Sequence, residues 1–130
     1  MIVDSSALLA ILQKEPEARL FDVAIAKSEV CLISAAGLLE VSMILLSRKG
    51  DDGVRDLDLL IARLKIGVAA FTESQAVIAR QAFKRFGRGR NPARLSFGDC
   101  IAYALAKETG EELLYKGTDF GKTDILSASY

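Results

Sequence analysis

Four short apolar runs recur along this chain: MIVD at 1–4, EVCLI at 29–33, IGVAAF at 66–71 and ELLYK at 112–116. Each is separated from the next by stretches whose apolar residues fall at helical spacing. No other feature constrains the fold as strongly. Strands divided by helices do not pair as hairpins. They are joined by right-handed crossovers into a parallel sheet with helices on both faces. The expected fold class is α/β, a three-layer α/β/α sandwich with a mostly parallel central sheet. DILS at 124–127 offers a fifth strand. With 130 residues and no repeat, low-complexity tract or linker, the chain reads as a single domain over 1–130.

The intervening stretches carry start and stop signals. Ser5 is placed to cap SSALLAIL, and Pro16 suits the first turn of PEARLFDVAIAKS, with Leu20, Val23 and Ala24 on one side. Ser34 caps AAGLLEVSMILLSRKG, which Gly50 closes, and Asp51 or Asp52 caps VRDLDLLIARLK. Thr72 opens ESQAVIARQAFKRF with a capping-box pattern, and Gly87, Gly89 and Pro92 then break the chain. Ser96 caps the last helix, SFGDCIAYALA, in which Asp99 shares a face with Leu95, Ala102, Tyr103 and Ala106.

Composition removes several chemistries. The chain has no histidine, which excludes Ser-His-Asp and Cys-His catalysis, His-ligated zinc and paired-histidine RNA cleavage. Cys31 and Cys100 lie in apolar segments and read as reduced core residues of a cytoplasmic protein. No run approaches the ~18 apolar residues of a membrane span, and Met1-Ile2-Val3 begins as a strand without a basic leader. Seventeen Lys and Arg balance seventeen Asp and Glu, so no global field attracts nucleic acid. Locally, Lys84, Arg85, Arg88, Arg90 and Arg94 stand in KRFGRGRNPAR with no acid between them. They form a candidate RNA-backbone contact, or simply a solvated helix end and loop.

In a parallel sheet, sites form beyond the carboxyl ends of the strands. Asp4 ends the first run and Asp119 follows the fourth. Glu40 lies more than a turn inside its helix among Leu38, Leu39, Val41 and Met43, where burial of an unpaired acid is unfavourable. Each acid has a plain alternative: Asp4 and Asp99 as helix-start residues, Glu40 as an edge residue reaching water, Asp119 and Asp124 as turn residues. Ser5 and Ser6 are candidate accessory donors to a metal-bound water or a phosphate, with capping as the alternative. Taken together, several acids in buried or strand-end contexts, with no histidine base, point to a hard divalent cation. Mg²⁺ takes carboxylate oxygens and keeps several waters; Mn²⁺ is the other candidate.

MIVDSSALLAIL, Glu40 within LLEVSMIL, RFGRGRNPARLSFGDC with FGDCIAYALA, and LLYKGTDFGKTDI together resemble VapC-type toxins. These are PIN-domain ribonucleases of type II toxin–antitoxin systems. The resemblance spans essentially the whole chain, and its most specific part is the segment ending in Asp99. It implies the PIN fold and Mg²⁺-dependent hydrolysis of RNA phosphodiesters by metal-activated water. It matches Asp4, Glu40, Asp99 and Asp119 to the family's acidic site, with Asp4 and Asp99 closest to the metal. Asp124 matches a weaker accessory position, and Thr118 is a further accessory candidate. Asn91 stands where similar sequences often carry His, Ser96 where they often carry Asn, and Thr118 where a second polar or acidic residue is frequent. None of these departures removes a matched acid. The resemblance further implies a VapB-like antitoxin and a homodimer or toxin–antitoxin hetero-oligomer. The helices of residues 16–27 and 52–64 have apolar positions to spare for a partner's helix. The competing class is a metal- or phosphate-binding regulatory or interaction domain without nuclease activity.

Overall fold

The computed structural model describes residues 1–89 and 91–130; Arg90, one of the expected RNA contacts, lies outside the described residues. Four strands, β1 (Ile2–Val3), β2 (Leu32–Ser34), β3 (Gly67–Ala69) and β4 (Leu113–Leu114), form a sheet in the order β3-β2-β1-β4. Every pairing is parallel. Among the described residues, six α-helices connect them: α1 (Ser5–Leu12), α2 (Ala18–Lys27), α3 (Ala35–Lys49), α4 (Asp51–Leu64), α5 (Glu73–Phe86) and α6 (Phe97–Thr109). The three-layer α/β expectation holds.

Strand side chains alternate between two cores, as their period of two requires. Val3, Ile33 and Leu114 face a cluster built with α1 to α4, including Ala7, Leu8, Phe21, Ile25, Val41, Leu45 and Leu57. Ile2, Leu32 and Leu113 face a second cluster with α5 and α6, including Ala82, Phe86, Cys100, Tyr103 and Leu105. Topology explains the division. From β1 the chain steps to β2 and then β3, then reverses and crosses the sheet to lay β4 on the far side of β1. A fixed crossover handedness puts the returning helices on the opposite face. The reversal opens a crevice beyond the carboxyl ends of β1 and β4, where ligands bind in open α/β sheets.

Several boundaries differ from those the sequence suggests. β2 begins at Leu32, not at Glu29, because Glu29 and Val30 are exposed and take no ladder position. The run at 124–127 supplies a single bridge, Leu113 to Ser127, flanked by Leu113 N–H to Leu126 O at 2.8 Å. Pro16 sits in the turn before α2, which starts at Ala18 behind Glu17. The buried stripe of α2 is Phe21 and Ile25, while Leu20 and Val23 are exposed. Gly50 is the N-cap of α4, and Asp51 and Asp52 occupy its first turn, where the helix dipole favours acids. Cys31 and Cys100 are buried free thiols.

Candidate active site

The polypeptide leaves β1 at Asp4, whose amide donates to the carbonyl of Leu114 at 2.9 Å and so ties it to the end of β4. Asp4 is extended (φ −78°, ψ 153°) and caps α1: its Oδ2 accepts from the Ser6 amide at 3.1 Å and the Ser6 hydroxyl at 2.5 Å. The cap thus belongs to Asp4, not to Ser5. The Ser6 oxygen in turn accepts from the Lys116 amide at 2.9 Å, joining both sides of the crevice.

Ser5, released from capping, donates its hydroxyl to Glu40 Oε1 at 2.7 Å. Glu40 stands well inside α3, whose cap is Ser34, its oxygen accepting from Ala36 N–H at 3.3 Å. Its carboxylate also lies against the first turn of α6. A Cβ placed on Gly98 would fall 2.7 Å from Glu40 Oε1 and closer still to Oε2. The next residue, Asp99, closes a capping box. Asp99 Oδ2 accepts from Ser96 N–H at 2.9 Å, and Ser96 Oγ accepts from Asp99 N–H at 3.2 Å. The apolar run behind Asp99 is buried from Cys100 to Ala106, which fixes this end of α6 against the sheet.

Three acids from three separate chain segments therefore meet at the crevice. Asp4 is 3% exposed, and no Lys or Arg pairs with it among the described residues. Burial pushes its carboxyl up to about 7. The bonds from Ser6 oppose that rise, and the charges of Asp99 and Glu40 add to it. Such a cluster either holds a proton or takes a cation. The donor set is hard oxygen throughout, which suits Mg²⁺ or Mn²⁺. Among the described residues no three acidic or thiol side chains are gathered tightly enough to enclose an ion on their own. Mg²⁺ does not ask for that, since it is usually held by one or two carboxylates plus waters. Burial, and then the charge of Asp99, push the Cys100 thiol up to about 11, so it offers no thiolate nucleophile near neutrality.

The remaining expected residues are placed differently. Asp119 follows β4 and precedes a short 3-10 turn (Phe120–Lys122), exposed and without a side-chain capping bond. Thr118 is exposed beside it. Asp124 is drawn to the flank of α6. Tyr103 Oη donates to its Oδ1 at 2.6 Å, Lys107 Nζ to its Oδ2 at 2.8 Å, and Arg85 lies 3.5 Å away. Its partners are thus the second and third turns of α6, not the three acids. Lys84, Arg85, Arg88 and Arg94 are all exposed near the end of α5 and in the following loop. Arg85 also lies over the Phe86 ring, 4.7 Å from its centroid. Gly87 is buried, and a Cβ there would come within 2.6 Å of the Phe83 ring, so its close approach is internal to the fold. Sequence reasoning did not single out Gly98, because a glycine in a helix start gives no signal of what another helix brings against it.

A family model described as PIN domain matches residues 1–126. Ribonuclease VapC of Mycolicibacterium smegmatis is 45% identical over 127 residues, covering 98% of this chain and 98% of the relative. The crystal structure of VapC20 from Mycobacterium tuberculosis, described as a sarcin-ricin loop cleaving toxin, is similar with a TM-score of 0.77. That match has 19% identity and covers 99% of this chain and 98% of the other. A toxin–antitoxin complex from Klebsiella pneumoniae contains a chain similar at a TM-score of 0.72 and 18% identity, over 99% of this chain and 97% of that one.

Proposed function

The chain belongs to the PIN-domain family, among the VapC-type ribonuclease toxins, and from that premise we propose a Mg²⁺-dependent hydrolysis of RNA phosphodiesters in the cytoplasm. The observation that supports the metal dependence is Asp4, a buried carboxylate with no cationic partner among the described residues and with the charges of two further acids acting on it. Asp4 and Asp99 would hold the ion, each already oriented by its own cap, so little ordering remains to be done on binding. When bound, the cation supplies a more acidic water and offsets charge on the phosphate. Ser5 fixes one oxygen of Glu40, leaving the other to orient the attacking water and receive its proton. Asp119, exposed in the loop after β4, is included in the proposal as a further acid of the site. Attack at phosphorus in line with the departing 3′-oxygen breaks that P–O bond and leaves 5′-phosphate and 3′-hydroxyl ends.

Exposed Lys84, Arg85, Arg88 and Arg94 support RNA contact through phosphates. An antitoxin partner of VapB type is part of the proposal, supported by the toxin–antitoxin complex among the similar structures. Exposed Leu20 and Val23 on α2 and Leu59 on α4 offer it apolar anchors. A homodimer or toxin–antitoxin hetero-oligomer accompanies that reading.

The test is induction of the wild type and of Asp99→Asn, with mapping of RNA ends and cleavage by purified protein in Mg²⁺ or EDTA. Asn keeps an acceptor for the Ser96 amide, so the fold is expected to persist. New RNA ends that need both Asp99 and Mg²⁺ are expected. Equal cutting by both chains, or cutting in EDTA, would sink the mechanism.

A further inference from the structure

We propose that Gly98 is a positioning residue: its bare backbone lets the Glu40 carboxylate lie against α6 while bonded to Ser5. This rests on the nuclease reading for its consequence, not for its geometry.

Glycine at this position serves no backbone need. Gly50, Gly89, Gly110 and Gly117 have positive φ, whereas Gly98 does not, so any residue can adopt its conformation. Within a helix, glycine is disfavoured relative to alanine. What glycine supplies here is space. The three heavy atoms nearest an added Cβ all belong to one group, the Glu40 carboxyl: Cδ at 2.8 Å, Oε1 at 2.7 Å, and Oε2 nearer. No core side chain and no backbone atom is among them. By contrast, a Cβ on Gly87 would meet the Phe83 carbonyl, and one on Gly53 the Leu45 carbonyl, both of which are fixed by packing.

Glu40 is thus clasped on two sides. Ser5 Oγ, from α1, donates to Oε1 at 2.7 Å. The bare first turn of α6, from the opposite face of the sheet, accepts the carboxyl group itself. Because Asp99 follows Gly98 directly, this contact also sets the spacing between two acids that arrive on different helices. The carboxylate is the end of a flexible side chain. A methyl at 98 would therefore be relieved by swinging Glu40 aside, not by distorting α6. The fold survives and the acid is lost from its place.

The experiment uses Gly98→Ala in the full chain, compared with wild type, Glu40→Asp and the double variant. The unfolding midpoint of Gly98→Ala is expected to equal or exceed that of wild type. In its crystal structure the Ser5–Glu40 hydrogen bond is expected to be broken. Mn²⁺ affinity, followed by calorimetry, and RNA cleavage should each fall by about 10- to 100-fold, the range for groups that orient a metal ligand. Glu40→Asp, one methylene shorter, should impair wild type yet restore part of the loss in Gly98→Ala. An unmoved Glu40, or an unchanged Mn²⁺ affinity, would overturn the proposal. So would a marked loss of stability, since the methyl would then be meeting something that does not move aside. If Asp99→Asn leaves cleavage intact, the nuclease reading fails while the displacement of Glu40 still decides the role of Gly98.

Discussion

Asp4→Asn should make the metal-free protein more stable near neutral pH, although it removes a residue proposed to hold the metal. The Asp4 carboxyl is raised from its ordinary 3.8 to about 7, mainly by burial. Between those values the folded chain keeps a proton that the unfolded chain has released. Folding then takes up a proton, so stability falls as pH rises from about 4 and levels off above about 7. Three units at about 1.4 kcal/mol each put the loss on the order of 4 kcal/mol. Asn is uncharged at every pH and keeps an oxygen for Ser6, so this loss disappears. The chain has no histidine, and so no other side chain type ordinarily titrates between pH 5 and 8. Groups common to both proteins cancel in the difference. The assay is urea unfolding in EDTA from pH 4.5 to 7.5. The two curves should lie close at the acid end and diverge towards neutrality, with Asp4→Asn the more stable. Added Mg²⁺ should then raise the stability of wild type near pH 7.5 and leave the variant unmoved. Parallel profiles, or a variant less stable at pH 7.5, would refute the assignment of Asp4 as an uncompensated buried carboxyl.

Two further outcomes follow from other parts of the molecule. Asp124→Asn should cost about 1 kcal/mol in urea unfolding at pH 7, a modest figure because the carboxylate is partly exposed to water. Burial alone would raise Asp124, but the bonds from Lys107 and Tyr103 outweigh it and hold the group low. Its contribution should therefore be present above the ordinary carboxylate range and be lost as pH falls below it. Arg88→Glu and Arg94→Glu, made in Asp99→Asn, should weaken binding to single-stranded RNA measured by fluorescence anisotropy. The slope of log affinity against log salt should shrink by about 0.7 for each phosphate contact removed; an unchanged slope would place the RNA elsewhere.

Much of the architecture is written in local pattern. Strand–helix alternation depends on spacing along the chain, and the parallel sheet follows from it with little outside information. Ser34, Thr72 and Ser96 cap the helices the sequence assigns to them, because a cap needs only the next two or three residues. Asp4 was legible as a strand-end acid and Glu40 as an acid too far inside a helix to be a cap. What misled at Ser5 and residues 124–127 was competition between neighbours. Asp4 and Ser5 can both cap α1, and β1 settles the choice by holding Asp4 in the extended conformation a cap requires. At 124–127, the Ile125 amide donates to Thr123 Oγ1 at 3.2 Å instead of to a strand, and Ser127 is the residue that bridges to Leu113.

By itself, then, the sequence determined which residue types were available: oxygen acids without histidine, set at strand ends and helix starts in a chain that must form a parallel α/β sheet. Only the tertiary structure decided which acids share a site. Asp4, Glu40 and Asp99 are tens of residues apart, and the reversal of strand order at β1 brings them together. It also decided that Ser5 serves Glu40, that Asp124 serves α6, and that Gly98 is a space and not a turn. The physical reason is one of range. Caps and periodicity act over a few residues and can be read from a single chain, whereas burial, charge coupling and steric room depend on what other segments bring to the same place.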